Sequence, residues 1–135
     1  MKVVLNIICW ILALACCYFP FWYTHSEMDK QEIKISHILV NTEDEAKQIR
    51  QDIVDKKITF EKAAEKYSQC PSKTQKGDIG YNVKGKLIKE FEDVAYSLDE
   101  RVLSEPVKTS EGWHLIKVYD IKYFSDKENF ERRYY

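Results

Sequence analysis

The stretch Ile35-Ser36-His37-Ile38-Leu39-Val40 decides how the rest of the chain is read. It is β-branched and apolar and closes on the turn pair Asn41-Thr42, the pattern of a buried strand. Alternation along a strand sends Ile33, Ile35, His37 and Leu39 to one face and Lys34, Ser36, Ile38 and Val40 to the other. An ionisable imidazole therefore interrupts an apolar row. A buried polar group without a hydrogen-bond partner costs a few kcal/mol, so His37 needs company. A core histidine held by a backbone carbonyl is the plain explanation; a working one needs further groups from elsewhere in the chain.

Downstream, Thr42-Glu43-Asp44-Glu45 has the form of a capping box, and Ala46, Ile49 and Ile53 recur at helical spacing up to about Asp55. A second helix starts at Thr59, with Phe60, Ala63, Ala64 and Tyr67 on one side. It stops before Ser68-Gln69-Cys70-Pro71, where the proline pushes Cys70 out of helical geometry. Residues 72–78 read as a polar loop, and Ile79-Gly80-Tyr81-Asn82-Val83 as a glycine-weakened strand near an edge. Phe91, Val94, Ala95 and Leu98 predict a third helix over about 88–98. Glu105-Pro106-Val107-Lys108 reads as a short strand whose proline suits an edge or a strand start. The segment from Trp113 to Tyr119 is a strong strand, and Thr109-Ser110-Glu111-Gly112 between these two suits a hairpin. The class is α+β: a mostly antiparallel sheet with helices around it.

At 135 residues there is room for one domain with appendages. The 21 basic and 22 acidic side chains nearly cancel, and nothing in that balance points to nucleic acid. Residues 3–23 carry no charge, and such a run exceeds the ~20 apolar residues a helix needs to cross a bilayer. Its far end carries Tyr18, Phe19, Phe21, Trp22 and Tyr23, an interfacial aromatic cluster. Two readings of this N-terminal hydrophobic helix compete: a retained signal-anchor, or a signal peptide cut after Ala13-Leu14-Ala15. The run continues past that candidate cut, which favours the anchor. Either way the remainder is expected outside the cytoplasm, tethered to the membrane or released. Residues 24–31 form a polar linker, 32–122 the folded domain, and 123–135 a charged and aromatic tail. Cys9, Cys16 and Cys17 fall within the apolar run, leaving Cys70 as the one downstream thiol, so there is no disulfide framework.

His114 repeats the puzzle of His37, because it shares a strand face with Ile116 and Val118. Two such histidines on adjacent strands can satisfy one another, one ring nitrogen donating and the other accepting. Cys70 adds a third soft group. A Cys/His hydrolase would need an activated Cys70 and an oxyanion hole, and no signature of either surrounds the cysteine. A zinc site from His37, Cys70 and His114 lacks the close-spaced ligand pairs such sites carry. Non-covalent work on a bound peptide remains, and it calls for no metal and no cofactor.

The ordered pieces from about 32 to 121 resemble the parvulin-type peptidyl-prolyl cis-trans isomerases. They are Ile35 to Val40, Phe60 to Ser72, Gly77-Asp78-Ile79-Gly80, Gly85 to Leu98, Ser104 to Thr109, and Gly112 to Val118. The resemblance implies a four-stranded antiparallel sheet surrounded by helices. It implies paired strand histidines at His37 and His114, Cys70 as a polar lining of the site, and Thr109 as the hydroxyl near the end of the third strand. Leu87 stands where the family usually has methionine, and Phe91 where an aromatic packs on the substrate proline; on spacing alone both would be core. Lys76 and Arg101 replace glycines common in the family; if the turn before the third strand still needs a left-handed residue, Arg101 is strained there by ~1 kcal/mol. The implied activity is rotation of X-Pro bonds in proline-containing, exported or envelope polypeptides during folding. The short acidic junction Asn41 to Glu45 argues against selectivity for phosphorylated substrates. The other reading from the same resemblance is a peptide-binding or chaperone module with weak or no catalysis.

Overall fold

In the computed structural model of the chain, residues 31–124 are described. The expected N-terminal anchor or signal helix, most of the linker, and the tail from 125 onward lie outside them. The described part contains four strands, β1 (Gln31–Val40), β2 (Asp78–Val83), β3 (Val107–Thr109) and β4 (Gly112–Tyr123). Its α-helices are α1 (Glu43–Val54), α2 (Phe60–Tyr67) and α3 (Lys89–Ala95). The sheet runs β2-β1-β4-β3, so the histidine strands β1 and β4 are its central pair. β1 pairs antiparallel with β2, and β3 with β4. Gly112 packs beside Val40 while His114 meets His37, so β1 and β4 also run in opposite senses.

Alternation along these two strands builds two cores. Ile38, Val40 and Leu115 pack on one face under α1 and α2, against Ala46, Ile49, Phe60, Ala63 and Ala64. Ile33, Ile35, Ile116 and Val118 pack on the other under α3, against Phe91 and Ala95. Full burial of one such aliphatic or aromatic side chain contributes about 1.5–3 kcal/mol, which fixes the register: a slip by one residue would turn every side chain to the wrong face.

α1 and α2 begin where capping chemistry dictates. The Thr42 hydroxyl accepts from the Glu45 amide at 3.3 Å, and the Thr59 hydroxyl from the Lys62 amide at 3.3 Å. Each satisfies one of the amides that an N-terminal turn leaves without an intrahelical partner.

Four segments differ from the sequence expectations. The loop after Cys70 contains a 3-10 helix, Pro71–Gln75, with proline at its start where no amide is required. α3 stops at Ala95, short of Leu98, and closes in successive turns through Tyr96 to Leu98. β3 lies two residues later than expected, because Pro106 has no amide to give and the ladder opens at Val107. β4 runs on to Tyr123, past the expected end at Tyr119.

β2 is an edge strand, as its glycine suggested. Its pairing with β1 shifts between Ile35 and Ser36, leaving Ile79 as the extra residue of a bulge. The Asn82 side-chain Nδ2 donates to the Ile79 and Gly80 carbonyls at 3.3 and 3.1 Å, and the Tyr96 hydroxyl donates to the Asn82 backbone carbonyl at 3.0 Å. These bonds blunt the strand against edge-to-edge pairing. Arg101 (φ 65°) holds left-handed backbone, so the strain expected at its turn is present, and Lys76 (φ 60°) holds the same conformation.

Candidate active site

His37 is held by its backbone before its ring is considered. Its amide donates to the Gly77 carbonyl at 2.9 Å. Any side chain at Gly77 would collide with the His37 carbonyl oxygen, which explains the glycine. Two residues on, the Leu39 amide donates to the buried Ser68 hydroxyl at 3.1 Å, and the Leu39 carbonyl accepts from the Gln69 amide at 2.8 Å. The same Ser68 oxygen accepts from the Cys70 amide at 3.3 Å. The segment from Ser68 to Gly77 is thus clasped along the outer half of β1 and brings Cys70 to the site and Ser72 to the His37 ring.

The two imidazoles meet across the central strand pair. His37 Nδ1 lies 3.1 Å from His114 Nδ1, and the rings stack at 5.3 Å with an interplanar angle of 11°. His37 Nε2 is 3.2 Å from the Ser72 hydroxyl, and His114 Nε2 is 2.9 Å from the Thr109 hydroxyl. All four ring nitrogens therefore have partners in a chain Ser72–His37–His114–Thr109. With one proton per ring, the chain closes with its hydrogens pointing either way along it. Phe91 presents T-shaped contacts to both rings, with centroids 5.5 Å from His37 and 5.3 Å from His114.

Burial disfavours the charged forms. Desolvation, and then the neighbouring His114, push the His37 imidazole down to about 4. His114 is lowered by its own burial, with the Glu111 carboxylate acting against that. A first proton could be shared between the facing Nδ1 atoms, each Nε2–H still reaching its hydroxyl; a second would set two N–H donors against each other. At neutral pH the pair is uncharged.

Over the pair lies a cavity of about 500 Å³. Leu39, Pro71, Ile79, Leu87, Ile88 and Phe91 supply its apolar lining, and Gln69, Cys70, Asn82, Glu111 and both histidines its polar groups. Leu87 is placed by a carboxylate: Glu92 Oε2 accepts from the Gly85 amide at 2.7 Å and from the Leu87 amide at 3.4 Å. Of the residues singled out from the sequence, His37, Cys70, Leu87, Phe91 and His114 share this cavity, and Thr109 stands one hydrogen bond behind it. Phe91 is 4 % exposed and belongs to the core, as its spacing suggests, and its ring also faces the imidazoles and lines the cavity. No group of three or more His, Cys, Asp or Glu among the described residues is placed to hold a metal ion.

A PPIC-type PPIase (rotamase) domain model matches residues 26–120. The chain belongs to this parvulin family. A relative, foldase protein PrsA 1 of Bacillus cereus, is 50% identical over 94 residues, covering 69% of this chain and 32% of its own length. The PrsA peptidylprolyl isomerase of Bacillus anthracis, a solved structure, superposes with a TM-score of 0.71 at 38% identity, over 80% of this chain and 50% of that one. NmPin, the parvulin of Nitrosopumilus maritimus, gives 0.61 at 37% identity, over 67% of this chain and 97% of its own. The chain spans about a third of the length of the curated foldases it matches.

Two contributors to the parvulin site were not singled out from the sequence. Ser72 read as one polar residue among several in a loop, and nothing local marks a hydroxyl whose partner lies 35 positions away. Glu92 is absent from the sequence reading, which follows only the apolar residues of its helix. Its lone clue is a position one turn into α3 behind Gly85, where a buried carboxylate can gather the amides of a tight loop.

Proposed function

We propose that this domain is a peptidyl-prolyl cis-trans isomerase that rotates X-Pro bonds without a covalent intermediate. The single observation that carries the reading is the joining of an apolar cavity to a neutral, hydrogen-bonded histidine pair beneath it. Rotation about a peptide C–N bond meets a barrier of ~18–20 kcal/mol, set by its partial double-bond character. Each ~1.4 kcal/mol removed gives a tenfold rate. An apolar enclosure strips water from the amide carbonyl and so favours the twisted amide, which is less polar than either planar form. Leu87 and Phe91 hold the proline ring while the preceding residue turns, a restraint that favours the twisted state over both planar ones. His37 and His114 order the floor, Thr109 and Ser72 fix their ring orientations, and Cys70 is a polar lining rather than a nucleophile.

The substrates on this reading are unfolded or folding proline-containing polypeptides, and the name foldase borne by the PrsA relatives supports that class. The uncharged run 3–23 supports a domain held outside the cytoplasm on a membrane anchor, or released there by cleavage. Among the described residues no helix is long and apolar enough to cross a membrane, so that run is the segment to test. The mass of the protein recovered from membranes distinguishes anchor from cleaved signal.

The activity is tested by two-dimensional NMR exchange on short X-Pro peptides. Cross-peaks between cis and trans resonances are expected at micromolar protein. Peptide binding without exchange would replace the isomerase by a peptide-binding module, and a covalent adduct at Cys70 would overturn the mechanism.

A further inference from the structure

The residues around the cavity are apolar or neutral with one exception. Among the described residues lining it, Glu111 is the one carboxylate, and no lysine or arginine lines it. Glu111 is exposed at the second position of the two-residue Ser110-Glu111 turn joining β3 to β4, inside the closing pair Thr109–Gly112. Its place is not that of a free loop residue. The Glu111 amide donates to the Thr109 hydroxyl at 3.2 Å, and that hydroxyl also bonds His114. A Cβ at Gly112 would come 2.7 Å from the Val40 carbonyl oxygen, so the turn is pressed against the end of β1. Among the described residues no cationic side chain forms an ion pair with the Glu111 carboxylate. It therefore stands at the rim of an otherwise uncharged cavity, on a backbone tied to the histidine pair.

Resting on the isomerase reading above, we infer that Glu111 is a specificity-determining residue that selects a cationic side chain, lysine or arginine, next to the substrate proline and disfavours an acidic or phosphorylated one. The carboxylate meets water, so its selectivity is that of an exposed ion pair, about threefold between lysine and glutamine and again between glutamine and glutamate. It should weaken with salt, because the charges interact through solvent within a Debye length.

The test uses the full chain and two peptide series with lysine, glutamine or glutamate immediately before the proline or immediately after it. For each peptide, dissociation constants come from NMR shift titration and exchange rates from the cis–trans cross-peaks. The wild type should rank lysine over glutamine over glutamate in at least one series. The ranking should collapse in Glu111→Gln, invert in Glu111→Lys, and shrink at high salt, with native amide dispersion confirming the fold of each variant. Equal binding of all three peptides by the wild type in both series, or a ranking that survives both substitutions, would overturn the inference. Because the titration reads binding, a protein that binds without exchanging would refute the isomerase reading and still decide the selectivity.

Discussion

The two faces of the sheet are built from the same two strands and end as different materials. On one, Ile38, Val40 and Leu115 are sealed by α1 and α2 into a dry cluster with Phe60 at its centre. On the other, α3 is a helix of seven residues and covers only part of the surface. That face keeps two imidazoles beneath Phe91, several apolar side chains and an open cavity. One face stores stability and the other gives some of it up for a site. A single strand can carry both roles when its alternate residues pack against different helices.

The largest expected effect is on the sealed face. Phe60→Ala should cost about 3–5 kcal/mol of folding free energy, read by chemical denaturation, with peptide exchange unchanged in whatever fraction stays folded. A loss of exchange in the folded fraction would show that the faces are coupled.

On the open face the pair should behave as a unit. His37→Leu or His114→Leu alone leaves a buried nitrogen without its partner, a loss of about 1–3 kcal/mol. The double variant removes both, so it should be more stable than the sum of the singles implies, while its exchange activity falls in step with either single. Full activity in a folded double variant would return both histidines to a structural role.

Acid sharpens the same contrast. The His37 imidazole sits at about 4 in the folded chain against an ordinary 6.5, so the unfolded chain binds the proton first. The stability of the neutral pair is whole above about pH 6.5 and is lost as pH falls from there towards about 4, below which this group contributes no further slope. Denaturation midpoints measured across that window should drop in the wild type, and more shallowly in the double leucine variant. An identical slope in both would assign the acid sensitivity to other groups.

The smallest effect lies off both faces. Arg101→Gly relieves a left-handed arginine and should raise stability by at most ~1 kcal/mol, offset in part by the freer unfolded chain. A thermal melt reads it, and a decrease would mean that the arginine side chain makes up for its own strain.

Much of this was legible because it is periodic. Alternation placed His37 and His114 in apolar rows, and adjacency of β1 and β4 turned those rows into one face. The capped starts of α1 and α2 followed from Thr42 and Thr59. What escaped has no period. Ser72 reaches His37 from a loop that folds back over β1, and Glu92 turns inward because the backbone of Gly85 and Leu87 offers it donors. The end of α3 at Ala95 was missed because Val94 and Leu98 keep the helical spacing even though the backbone has turned, and both still pack on the α3 core.

The bulge at Ile79 sits in the edge strand, and β1 keeps an unbroken alternation. Its consequence is a rule for length changes. An extra residue beside Ile79 can widen an irregularity that already exists, at the rim of the sheet. One inserted between Ile35 and His37 would turn every later side chain of β1 over, driving the imidazole towards Phe60 and Ile38 into the cavity. This sheet can lengthen at its edge, but its central strand must keep count.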